Sequence, residues 1–168
     1  MGFSESYLSE FDREMAGTRK TLERVPDDKW DWKPHEKSTP MGQLAAHLTN
    51  IATWTTYVLE KDSVDLVPDG KPLPGAERAK SHTELLAIFD DSVAKARAAL
   101  TGASDEDLRK SWTLIANGKT IRTMPKMGAL RGFIMNHMIH HRAQMGVYLR
   151  LNDLPVPSIY GPSADEGS

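Results

Sequence analysis

The chain has 168 residues, a formal net charge of −2 and no cysteine. This is the length of one globular domain, so we expect a single domain over residues 1–168 with a full hydrophobic core. The charge is close to neutral and the basic residues are scattered, which argues against nucleic acid or an anionic membrane surface as partners. Without cysteine there can be no disulfide or thiolate ligand, so a bound metal must use His, Asp or Glu.

Residues 1–14 carry acidic side chains and no apolar run. They therefore resemble neither a signal peptide nor a membrane span. Together with the lack of cysteine, this predicts a cytoplasmic protein.

Apolar residues spaced three and four apart predict an amphipathic helix from Phe3 to Val25. Pro26 should end this helix, and residues 29–34 after it form an irregular segment. The two tryptophans of this segment, Trp30 and Trp32, must either pack on the helices or line a cleft.

Ser38-Thr39-Pro40 predicts the start of a second helix, with a hydroxyl cap and a proline in the first turn, running to about Glu60. On its helical wheel, His47 lies in the middle of an apolar stripe. A single histidine on such a face is more often a hydrogen-bonded core residue than a metal ligand.

Residues 61–80 are rich in proline and glycine, and they predict a long loop that could cover the mouth of a site. A third helix is expected from about Ser81 to Leu100, with His82 at its start in solvent and without a role. Ser104 then predicts a short capped turn of helix before Trp112.

Two β-branched runs, 112–116 and 119–123, flank Asn117-Gly118, which is the strongest short signal for a β-hairpin. A fourth helix should follow over about Met127–Leu151. The tail, residues 152–168, contains several prolines and should lie extended on the surface.

The fourth helix contains three histidines, at positions 137, 140 and 141. His137 and His141 are four residues apart, so their Cβ atoms should lie about 6 Å from each other on one face. The wheel includes both in the apolar stripe and leaves His140 at its edge. An unpaired buried polar group costs roughly 1–3 kcal/mol, so both rings need partners. A shared divalent ion would provide one, while carbonyls, water or a subunit interface are the alternatives.

Three inward histidines on two helices, His47, His137 and His141, give three nitrogen donors and leave one position open, as in catalytic zinc sites. The four helices predict a helical bundle with this site in its core. Several neighbours could orient ligands or border a pocket, but they could equally be ordinary core residues: Asn50, Gln144, Tyr148, Trp30, Trp54 and Trp112.

Four segments, residues 29–34, 42–48, 137–144 and 155–166, together resemble the DinB-like superfamily of bacterial damage-inducible metalloproteins. They occur in the same order and cover nearly the whole chain. The family typically has glycine where this chain has Ala143.

The resemblance implies an all-α, up-down-down-up four-helix bundle, here with a small β-hairpin before the last helix, and commonly a homodimer. It implies one divalent metal ion bound by His47, His137 and His141, with His140 not a ligand. Three imidazoles accept several metals, of which we expect zinc or nickel, with iron as a further candidate.

The resemblance leaves the activity open, because a fold does not fix a function. The first hypothesis is a metal-dependent transferase that joins a low-molecular-weight thiol to a small electrophile. The second is a metal-dependent hydrolase of a small molecule, and the third is a metal-binding stress-response protein without turnover. The sequence reveals no general base.

Overall fold

Four long helical segments form most of the chain in a computed structural model that describes residues 2–73, 79 and 81–167. The long segments are α1 (Phe3–Leu22), α2 (Met41–Glu60), α3 (His82–Gly102) and a last helix, made of α5 (Lys126–Ala129), a π-helical segment (Leu130–Asn136) and α6 (His137–Leu151). The shorter elements are two 3-10 turns (Asp27–Lys29 and Pro68–Gly70), α4 (Asp105–Arg109) and three strands, β1 (Ser63–Asp65), β2 (Ser111–Ala116) and β3 (Lys119–Pro125).

The bundle has the predicted all-α, up-down-down-up arrangement. Helices α1 and α2 both pack against α3 and against the last helix, so α1 and α2 lie on opposite corners. Strand β1 follows α2, strand β2 follows α3 and α4, and the two strands pair in parallel. Helices α2 and α3 therefore run in the same direction, and the prediction of the fold class is confirmed.

The apolar positions that predict amphipathic helices do face one core. Fully buried side chains come from α1, α2, α3 and the last helix, and they include Phe11, Leu48, Phe89 and Met138. No helix within the described ranges is long and apolar enough to cross a lipid bilayer.

The predicted hairpin is present, and a third strand extends it. Asn117 and Gly118 have φ angles of 51° and 73°, as the tight turn between two twisted strands requires. Strand β1 adds to β2, and the Asp65 carboxylate accepts hydrogen bonds from the Asn117 and Gly118 N–H groups at 2.9 and 2.8 Å. Part of the stretch predicted as a plain loop, residues 61–80, thus belongs to the sheet.

The start of α2 differs from the sequence prediction of a hydroxyl cap. Pro40 occupies the capping position, and no side chain caps the helix. The N–H groups of Met41 and Gly42 donate instead to the Trp32 and Trp30 carbonyls, each at 2.8 Å. The irregular segment thus satisfies with its backbone the N–H groups that a helix start leaves unpaired.

His82, expected in solvent, instead joins two helices. Its Nε2 lies 2.8 Å from the Leu22 carbonyl oxygen, and its backbone N–H donates to Asp27 at 2.8 Å. Helix α1 ends at Leu22, and the last carbonyls of a helix need partners from outside it. The expectation was wrong because this contact joins residues 60 positions apart.

A buried ion pair joins α1 to the last helix. Arg142 Nη2 lies 2.7 Å from Glu14 Oε2, and the two side chains are 5% and 2% exposed. The tail reaches this pair through Tyr160, whose hydroxyl donates to Glu14 Oε2 at 2.6 Å. Ion pairs of Arg24 with Glu166 and of Arg150 with Asp165 also hold the tail.

Burial by itself would raise the pKa of Glu14. Hydrogen bonds from Tyr160 and Arg142, together with the charge of Arg142, outweigh this effect and hold the pKa of Glu14 below its ordinary value. The ionised carboxylate is therefore the form that the fold stabilises. Its contribution is present above the ordinary carboxyl pKa and is lost as the pH falls through the lowered value.

We expect Glu14→Gln to lower the free energy of unfolding by about 3 kcal/mol at pH 7, because it leaves the Arg142 charge buried without its counter-charge. As the pH falls through the lowered pKa of Glu14, the wild-type carboxyl also becomes neutral, and the difference should shrink. Urea unfolding followed by circular dichroism at a series of pH values measures both effects.

Glu10→Gln is a matched control, because Glu10 also lies on α1 and pairs with Arg131 of the last helix at 2.6 Å. That pair is exposed, so its loss should cost less than about 1 kcal/mol. Equal destabilisation by the two substitutions would contradict the role given to the buried pair.

Candidate metal centre

Three imidazoles meet where α2 packs against the last helix. His47 comes from α2, and His137 and His141 lie one turn apart on α6. One ring nitrogen from each residue lies within 4.8 Å of the other two, and no described carboxylate joins the group. Nε2 of His47 and Nε2 of His137 are 3.1 Å apart. Nitrogens bound to one tetrahedral ion at about 2.0–2.1 Å would lie about 3.3–3.4 Å apart, so the group could hold a metal ion.

The outer nitrogens of two rings already have partners. His141 Nδ1 lies 2.6 Å from Gln144 Oε1, and His137 Nδ1 lies 3.3 Å from the Phe133 carbonyl oxygen. Both partners are acceptors, so each Nδ1 carries the proton and each Nε2 keeps its lone pair for the centre of the group. A metal-binding histidine usually donates its other N–H in this way.

The His137 backbone N–H leaves the Phe133 carbonyl available to the His137 side chain. The His137 backbone N–H donates to Ile134 rather than to the carbonyl four residues before it. The Phe133 oxygen can therefore accept from the His137 side chain. Single π turns often occur at functional sites.

Aromatic rings close the inner side of the group. Trp54 stacks on Phe133 with ring centroids 5.3 Å apart and meets His47 edge to face at 5.5 Å. Trp112 is fully buried behind Phe133. Trp54 thus borders the group, as the sequence allowed, whereas Trp112 is a core residue.

Burial and mutual repulsion keep the three imidazoles neutral at pH 7. Burial, and then the charges that His137 and His141 would carry, lower the pKa of His47 to about 4. Burial is also the largest cause that lowers the pKa of His137 and the pKa of His141, despite the hydrogen bond between His141 and Gln144. Neutral imidazoles offer the lone pairs that a metal ion needs.

A cleft of about 790 Å³ opens beside His47 and His141. One wall is the start of α2, another is α6 with Gln144 and Tyr148, and the rest is the segment 30–39. The complete lining is Trp30, Asp31, Lys37, Ser38, Thr39, Gly42, Gln43, Leu44, Ala46, His47, His141, Gln144 and Tyr148.

The cover predicted for residues 61–80 is not found in the part of that stretch that the structure describes. Residues 61–73 and 79 contribute nothing to the cleft lining, while residues 74–78 and 80 lie outside the described residues. The segment 30–39 forms this wall of the cleft instead. Tyr148 holds it to α6, because its hydroxyl donates to the Thr39 carbonyl at 3.1 Å.

The structure distinguishes the positions of the neighbouring residues whose roles the sequence left open. Gln144 contacts the group directly, Tyr148 lines the cleft, and Asn50 is buried on α2. His140 is exposed and lies outside the group, although its ring centroid is 4.8 Å from that of His141.

Fold and site together define a four-helix-bundle protein with an all-histidine candidate metal centre that opens into a cleft. The family model described as "DinB family" matches residues 1–168. The chain therefore belongs to the DinB family, which confirms the resemblance.

The chain is also similar to individual proteins. The chain is 26% identical over 165 residues to "Uncharacterized protein YrdA" of Bacillus subtilis (strain 168). The aligned region covers 96% of this chain and 90% of that protein. It is similar in fold to the crystal structure of a DinB-like protein from Bacillus cereus ATCC 10987, with a TM-score of 0.68, 23% identity, and coverage of 93% of this chain and 97% of that one. A DinB-like protein of Bacillus subtilis, YjoA, gives a TM-score of 0.69, 20% identity, and coverage of 90% and 95%.

We expect His47→Ala, His137→Ala and His141→Ala each to remove most bound metal, because two imidazoles are a poor site for a divalent ion. His140→Ala should keep about one ion per chain. Plasma mass spectrometry of untagged protein, reconstituted with the ion and then dialysed, measures the content. Unchanged metal in His141→Ala would contradict the assignment.

Gln144→Ala should weaken metal binding in the same series without abolishing it. Without its acceptor, the His141 ring is free to turn, and metal affinity should fall about 10- to 100-fold while stoichiometry at saturation stays the same. Gln43→Ala is the matched control, since Gln43 lines the same cleft without a hydrogen bond to a described histidine. A competition titration with a chromophoric chelator compares the affinities.

Proposed function

We propose that the protein binds one divalent metal ion through Nε2 of His47, His137 and His141. The close approach of these nitrogens and the acceptors at Nδ1 of two of the rings support the assignment. Imidazole ligands suit zinc, nickel, iron and copper, and of these we expect zinc or nickel, with iron as a third candidate. Three neutral ligands leave the full charge of the ion in place, which favours an anionic group at the remaining position.

We further propose that the protein is a metal-dependent S-transferase acting on small electrophiles. The observation that carries this proposal is the cleft beside His47 and His141, whose volume of about 790 Å³ accommodates a low-molecular-weight thiol together with a second small molecule. A divalent ion there would supply Lewis acidity and so lower the pKa of the thiol. The sulfur then bonds to the electrophilic carbon, the leaving group departs with its electron pair, and the thiol proton passes to solvent.

The residues of the chain contribute position rather than proton transfer in this reaction. Gln144 and the Phe133 carbonyl orient two rings, and the aromatic wall of Trp54 and Phe133 keeps water from the inner side. Asp31 is the only carboxylate among the described residues that line the cleft, and it does not join the histidine group. This disfavours a hydrolase, which needs a base beside the attacking water.

We also propose a homodimer in the cytoplasm. The family resemblance supports the dimer, and the exposed apolar side chains of Val147 and Leu151 on α6, each 58% exposed, offer a surface that a second copy could cover. The absence of cysteine supports the compartment.

Cobalt(II) substitution tests the thiol proposal. Addition of 2-mercaptoethanol to the cobalt protein should produce a sulfur-to-cobalt charge-transfer band, because the sulfur enters the open position. The zinc or nickel protein should then accelerate the reaction of this thiol with 1-chloro-2,4-dinitrobenzene, with release of chloride. His141→Ala and chelator-treated wild type should show neither effect.

Other outcomes would favour the alternatives. Metal-dependent hydrolysis of 4-nitrophenyl acetate without thiol, and no charge-transfer band, would indicate the hydrolase. Stoichiometric metal with neither reaction would indicate a metal-binding protein without turnover.

A further inference from the structure

The indole of Trp30 rests directly on the backbone of α2 at Gly42. A Cβ atom at position 42 would lie 2.3 Å from Cδ2, Cε2 and Nε1 of that indole, far inside van der Waals contact. Only glycine leaves room for the ring in this place. The helix start and the tryptophan are therefore fitted to each other.

Backbone hydrogen bonds hold the tryptophan in this position. The Trp30 carbonyl accepts from the Gly42 N–H and the neighbouring Trp32 carbonyl accepts from the Met41 N–H, each at 2.8 Å. Trp32 in turn packs edge to face on Tyr148, with ring centroids 5.5 Å apart. The backbone that carries the Trp30 ring is thus fixed before any ligand arrives, so a ligand that binds against the ring does not have to order this segment.

Trp30 is nevertheless only half-buried, and it lines the same cleft as His47 and His141. Its Nε1–H group donates to no other residue that the structure describes. A rigid aromatic ring that is not fully covered, beside a candidate metal centre, is a surface for a ligand rather than a core residue alone.

We propose that Trp30 is a specificity-determining residue, which selects ligands that carry a planar apolar group next to the atom that approaches the metal centre. This inference rests on the proposed metal centre and names the class of molecule that the cleft prefers. The absence of a side chain at Gly42 makes the preference possible, because any side chain there would displace the indole.

Two thiols of similar acidity, 2-mercaptoethanol and phenylmethanethiol, test the preference in the cobalt protein. Their affinities follow from the charge-transfer band, and the ratio of the two affinities should fall about fivefold in Trp30→Ala, as the loss of an aromatic contact predicts. Gly42→Ala should lower the ratio similarly, since it displaces the ring. Trp30→Phe, which keeps a planar ring, should retain most of the preference.

All variants should bind one cobalt ion, and their affinity for 2-mercaptoethanol should change less than their affinity for phenylmethanethiol, which separates a change in selectivity from a loss of folding. Acetate and phenylacetate, titrated in the same way, test the same preference without a thiol. If thiols bind but the ratio is unchanged in Trp30→Ala, the inference is overturned while the thiol proposal stands. If wild type binds no thiol but its preference for phenylacetate depends on Trp30, the thiol proposal fails and the selective role of Trp30 stands.

Discussion

Polar groups at the contact between α2 and the last helix constrain the whole bundle. The three imidazoles there are half-buried, so each ring carries part of the cost of roughly 1–3 kcal/mol that an unpaired buried polar group has, and partners within the interface offset it. Two of the three rings find them on their own helix, at the Phe133 carbonyl and at Gln144. Their remaining nitrogens then point toward His47, and this arrangement is stable only for one rotation of α6 relative to α2.

A second face of α6 fixes the same rotation. Consecutive residues of a helix point about 100° apart, so Arg142 faces α1 when His141 faces α2. Arg142 is almost completely buried against Glu14, and a rotated helix would leave this charge unpaired. A structural ion pair and the candidate metal centre therefore share one helix orientation. The tail contributes through Tyr160, which connects it to the same pair.

The features that were predicted from sequence are those set by local periodicity and turn chemistry. Helical spacing identifies the four long helices and separates His137 and His141 from His140, and Asn117-Gly118 identifies the hairpin. The carbonyl cap of α2 and the contacts of His82 involve residues distant in the chain, so no local pattern reports them. The same holds for the π-helical segment, because a change of hydrogen-bond register leaves no signature in residue type. The role of Gln144 was left open for a related reason, since its spacing of three from His141 is also that of an ordinary helix neighbour.

The candidate metal centre and the cleft wall are held by different parts of the chain. The three histidines depend on helix packing and on the Glu14–Arg142 pair, whereas the wall depends on the segment 30–39, its carbonyl contacts with α2 and the glycine at position 42. A substitution in that segment can change what enters the cleft without moving a histidine nitrogen. Because of this division, the lining of the cleft can change while the histidine group stays in place. Any ligand of this protein is therefore to be sought through the cleft wall, because the histidine group by itself does not select one.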